Sequence, residues 1–140
     1  MLSKTEIREL TFKYIFSRLF LKDKKMLSKV ELENFFEINE VNEEEQKEIE
    51  KTIYIIQDHY EYILDLIKKY LKSDWEIGRI AKVDFSILLL AIAEMIYEKL
   101  PYKVAINEAV EIAKRYGTDT SAKFVNGVVA SVVKEEGLEE

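Results

Sequence analysis

Residues 101–130 read PYKVAINEAVEIAKRYGTDTSAKFVNGVVA. Two helices and the turn between them are written into these thirty positions. Pro101 suits a first helical turn, where its missing N–H is not needed. Gly117 is the residue type favoured just past a helix end. Lys114 and Arg115 put positive charge in the last turn, against the negative end of the helix dipole. Ala105, Ala109 and Ala113 recur every four residues, so they form a line of small side chains that lets another helix come close. Thr118, Asp119, Thr120 and Ser121 offer N-cap residues for a following helix, which the apolar spacing carries to about Glu135. Gly127 inside that helix costs about 1 kcal/mol relative to Ala, which predicts a close backbone contact at that point.

Working upstream, the same logic gives a chain built of helices. Four Gly and one Pro in 140 residues leave few breakers, and hydrophobic residues at 48% suffice for a core. The segment from Asp84 to about Lys99 is apolar almost all round (Phe85, Ile87 to Ala93), as expected of a helix central to the core or partly covered by another chain. A long helix is expected from Asn42 to Lys72, with Asn42 as N-cap and Glu45 completing a capping box. Its stripe of Ile49, Ile53, Ile56, Tyr60, Ile63, Ile67 and Tyr70 is widened by Ile55, Tyr62 and Leu66, which favours a globular bundle over a two-stranded coiled coil. A short helix is expected over Lys29 to Glu37, and a first helix from about Ser3 to Lys22. Trp75 to Ile80 reads as a link. The expected fold is all-α, one domain over residues 1–140, with about six helices.

The first helix carries two apolar stripes. One holds Ile7, Leu10, Tyr14 and Leu21, the other Phe12, Phe16, Leu19 and Phe20. Between them Lys4, Arg8, Thr11, Ile15, Arg18 and Lys22 fall on one line. That line reads either as a solvated edge or as a track for nucleic-acid phosphates. Charge is unevenly spread: residues 1–29 carry +5, residues 30–65 carry −10 and residues 66–140 carry −1, for a net −6. The whole chain is therefore not a nonspecific polyanion binder, whereas its N-terminal segment is suited to local contact.

Several chemistries are disfavoured. There is no Cys, hence no disulfide and no thiolate nucleophile, which fits a reducing compartment such as the cytoplasm. Met1 leads into charged residues with no apolar leader region, and the most apolar run is too short for a membrane span. His59 is the single histidine, and it reads as a packed, hydrogen-bonded residue on the apolar side of its helix. No metal, cofactor or catalytic residue is expected: a di-iron bundle needs Glu-x-x-His twice, and neither a Walker A pattern nor a G-x-S-x-G elbow is present. The Thr118–Ser121 cluster opens a helix and is followed by Lys123, so it reads as ordinary capping or as an anion site. Phe124 reads as core or as a stacking platform for a base.

The run PYKVAINEAVEIAKRYG followed by SAKFVNGVV resembles the NusB family of bacterial transcription antitermination factors. The resemblance extends upstream through Lys82, Val83, Asp84, Ile87, Leu88, Leu90, Ala91 and Glu94, and to Arg8-Glu9 and Ile15-Phe16-Ser17. It implies two packed helical halves and a non-enzymatic RNA-binding protein. The implied partners are boxA RNA, the ribosomal protein NusE and the RNA polymerase antitermination complex. Carried onto this chain, the resemblance implies RNA contacts by Lys4, Arg8, Lys123, Phe124 and Asn126; Arg18 joins them from the cationic line. The chain departs from the family where Phe85 and Leu89 stand in place of two arginines. Four residues apart, they predict an apolar ridge that could make a homodimer. A related expectation is the accessory domain fused to ribosomal RNA cytosine methyltransferases.

Overall fold

A computed structural model describes residues 1–19, 26–71 and 77–139. Among these residues every regular element is helical. The order is α1 (Lys4–Leu19), α2 (Lys29–Ile38), α3 (Glu43–Asp58), α4 (Tyr60–Lys69), a 3-10 turn (Ile77–Arg79), α5 (Lys82–Tyr97), α6 (Tyr102–Tyr116) and α7 (Ser121–Glu135). Phe20, Leu21, Lys22 and Trp75 lie outside the described residues.

Helix α5 is the axis. It packs against α1, α3, α4, α6 and α7, and ten of its sixteen residues are buried. Its near absence of a polar face is thus the mark of a central helix. On one side lie α1, α3 and α4, and on the other the α6–α7 pair, giving two packed halves. One contiguous core joins them, from Ile7 through Ile53, Ile67 and Leu88 to Val133.

Local chemistry sets the boundaries. The expected capping box is present: the Glu45 N–H donates to Asn42 Oδ1 at 2.9 Å, and the Asn42 N–H donates to Glu45 Oε1 at 3.1 Å. The other Glu45 oxygen accepts from the Leu2 N–H at 2.6 Å, which pins the chain start to α3. The backbone bonds from Leu2 and Asn42 hold the Glu45 carboxyl below its ordinary range. Helix α2 ends where Glu40 takes φ 52° and the Val41 N–H returns to the Phe36 carbonyl at 3.0 Å.

The expected long third helix is two helices. His59, at φ −116° and ψ 19°, separates α3 from α4. Its N–H still donates to the Ile55 carbonyl and its carbonyl accepts from the Ile63 N–H, each at 3.0 Å, so bonding carries through the bend. Ile49, Ile53, Ile56, Ile63 and Ile67 stay buried on both sides of it. An unbroken stripe therefore hides the break. His59 itself is exposed, not packed inside; its ring stacks on Tyr97 with centroids 4.0 Å apart. Tyr62, expected to widen the buried stripe, is half exposed.

Of the glycine expectations, the helix end at Gly117 is met and the close contact at Gly127 is not. A Cβ at Gly127 would meet nothing within 4 Å, so no close contact explains that glycine. Gly117 has extended backbone (φ −95°, ψ −166°), and its constraint is space. A Cβ there would lie 2.4 Å from Ser121 Oγ and 2.7 Å from the Ala113 carbonyl oxygen. The turn between α6 and α7 closes that tightly only without a side chain.

Candidate nucleic-acid interface

The cationic line on α1 is largely the middle of a buried face. Thr11 and Ile15 are buried, and Arg18 is only 5% exposed. The two apolar stripes bracket this line, so once both stripes are covered the line between them is covered too. The opposite arc, with Glu6, Lys13 and Ser17, faces solvent. Arg18 is therefore withdrawn as a phosphate contact; its guanidinium is inside the protein.

Arg8 is committed as well. Its Nε donates to both oxygens of Glu94 on α5, at 2.9 and 2.8 Å. Its Nη1 donates to Glu108 Oε1 on α6 at 2.7 Å, and the Thr5 hydroxyl donates to that same oxygen at 2.7 Å. The Arg8 and Glu94 side chains are each 12% exposed. One cation thus serves two carboxylates in a nearly dry setting. Burial pushes the Glu94 carboxyl up to about 7; Arg8 pulls it down, and Glu98 and Glu108 add to the rise. Lys4 remains at the surface, where it pairs with Glu48 on α3.

The start of α7 is different. The Thr118 N–H donates to Ser121 Oγ at 2.9 Å, and the Ser121 N–H returns to the Thr118 carbonyl at 3.1 Å. Thr120, the residue before the helix, makes no side-chain cap. Ser121 braces the turn behind it instead of Thr120 capping the helix ahead. Asp84 does not cap α5, which starts behind Ala81. Its buried carboxyl faces Ser121: burial raises its proton affinity, and a hydrogen bond from Ser121 opposes that rise. Asp84 Oδ1 is buried without a hydrogen-bond partner among the described residues. From this braced base Lys123 and Asn126 project into solvent, while Phe124 is half-buried against the core. Lys123 is in no ion pair among the described residues.

A second group of cations was not singled out for RNA contact from the sequence. Lys13, Lys114 and Arg115 are exposed around Tyr116. The Lys13 ammonium lies 5.6 Å from the Tyr116 ring centroid. Glu9 receives Arg115 and the Tyr116 hydroxyl, with Lys13 at 3.8 Å. The signal for Lys13 was its place on the wholly polar arc of α1.

The Phe85/Leu89 ridge is not on the surface. Leu89 is 0% exposed, and Phe85 is partly buried with its ring edge-on to Tyr60. The homodimer expected from that ridge loses the feature it rested on.

The fold and this surface define a class of protein: an all-helical scaffold that presents an exposed cationic edge at the start of α7. The chain belongs to the NusB family, whose family model matches residues 5–134. A transcription antitermination protein NusB from Thermoanaerobacter sp. (strain X514) is 41% identical, across 99% of this chain and 96% of that one. One from Methylacidiphilum infernorum (isolate V4) is 37% identical, across 98% and 94%. Among solved structures, Thermotoga maritima NusB matches with a TM-score of 0.83 and 34% identity, covering 96% of this chain and 92% of that one. A structure of antitermination factors NusB and NusE in complex with double-stranded RNA matches with a TM-score of 0.80 over 94% and 96% of the two chains, and at 23% identity it speaks for the fold.

Proposed function

We propose that this chain is a transcription antitermination factor that binds boxA RNA together with ribosomal protein NusE, in the cytoplasm, by assembly and without bond chemistry. The observation that carries the reading is the braced start of α7, which presents Lys123 and Asn126 outward within a chain matched to the NusB family over residues 5–134. The names of the relatives and of the complex with NusE and RNA support the role.

On this reading Lys123 and Asn126 contact RNA directly, and Phe124 supplies a ring edge beside them. Lys4, at the start of α1, offers a second contact, because its exposed pairing with Glu48 is weak enough to exchange. Arg8 supports RNA binding only by holding α1 against α5 and α6. The test is a titration of boxA RNA and a scrambled RNA with the protein and its cognate NusE, at moderate salt. Tighter binding of boxA is expected. Equal binding of the two RNAs would overturn the reading.

A further inference from the structure

We propose that the groove between α2 and α3 is a docking site for a cationic, amphipathic segment of a partner protein. The groove has a volume of about 240 Å³. Leu27, Leu32 and Phe36 line its base, the last two buried, and Lys29, Glu33, Glu50 and Tyr54 make the rest of the lining polar. Tyr54 is 41% exposed, and on α2 Val30 is 68% exposed. Only Leu32 and Phe36 of the ten α2 residues are buried, so this helix shows most of its surface outward.

Charge selects the occupant. Residues 30–65 carry twelve acidic and two basic side chains. Glu31, Glu33, Glu37, Glu40, Glu43, Glu44 and Glu50 are in no ion pair among the described residues, against Lys47 and Lys51 as the unpaired cations of the same stretch and Lys29 just ahead of it, so the stretch keeps an acidic surplus. Such a surface repels RNA phosphates. It also disfavours a second copy of this chain, because a two-fold contact would set the same acidic face against itself. A segment with apolar residues on one side and Lys or Arg on the other satisfies both the apolar base and the polar lining. This site lies on the half of the molecule away from the α7 edge, so protein and RNA could be held at the same time.

The test uses the full chain, isotope-labelled, and a short peptide of Leu and Lys spaced to form an amphipathic helix. A counterpart with Glu in place of Lys is the control. The Lys peptide is expected to move the amide resonances of residues 27–36 and 50–54 and to bind saturably by fluorescence anisotropy. The double variant Glu33→Lys/Glu50→Lys is expected to bind it roughly tenfold more weakly, and Tyr54→Ser to weaken it too should the double variant fail to fold. The idea is overturned by unchanged affinity in these variants, by equal binding of the Glu peptide, or by shifts confined to other faces. It is also overturned if a boxA oligonucleotide moves the groove resonances directly, since the site would then belong to RNA.

Discussion

Helices α1 and α7 both bring cations that the sequence pointed toward RNA, and folding treats them in opposite ways. On α1, Arg18 is buried, Arg8 is held by two carboxylates from α5 and α6, and Lys4 is paired at the surface. On α7, Lys123 stands exposed and enters no ion pair among the described residues, above a turn locked by Ser121 and Gly117. A cation is available to a ligand only where the fold has not already used it. The first helix is therefore mostly a fastening, and the last one carries the contact.

The sharpest way to break this contrast is Arg8→Ala. It would leave Glu94 and Glu108 poorly solvated and without their shared cation, and removing one partner of a buried pair costs about 3–5 kcal/mol. Urea unfolding should show that loss. A loss below about 1 kcal/mol would mean that Arg8 is a surface residue after all. Gly117→Ala comes next. The new methyl would meet Ser121 Oγ at 2.4 Å, and overpacking of this kind costs about 1–3 kcal/mol. Calorimetry should report the loss together with weakened RNA binding, because the base of α7 must shift.

A smaller effect follows from Glu94. Its carboxyl sits near 4.5 in a free chain and at about 7 in the folded protein. Between those values the folded state holds the proton more tightly. The stability it contributes is complete below pH 4.5 and is lost as pH rises through about 7. The full interval corresponds to about 3 kcal/mol as an upper bound. Glu94→Gln should flatten this part of the stability profile, and an unchanged slope between about pH 4.5 and 7 would count against the burial of the Glu94 carboxyl.

Much of this was legible in the sequence. The residues around Pro101, Gly117 and Ser121 place α6 and α7 to within a few positions, and the capping box at Asn42 and Glu45 forms as written. The bend at His59 was not legible, because neither Gly nor Pro marks it and the isoleucine stripe continues across it. The fate of the α1 cations was half-legible. A line between two apolar stripes lies in the centre of the covered arc, yet the charges of Lys4, Arg8 and Arg18 suggest an edge. The partners of Arg8, Glu94 and Glu108, are 86 and 100 residues away in sequence, and only the packing of α5 and α6 onto α1 reveals them. Leu89 teaches the converse. The sequence pointed to a surface ridge there, whereas Leu89 is buried in a helix that is central to the core.

The most direct measurement is boxA RNA affinity in the presence of NusE across a salt series, for wild type and Lys123→Ala, with thermal unfolding of both. The substitution should leave stability within about 0.5 kcal/mol. It should weaken RNA binding several-fold and lower the salt slope by about 0.7, the value of one single-strand phosphate contact. Unchanged affinity and slope in a fully folded variant would contradict the assignment of the α7 edge to RNA.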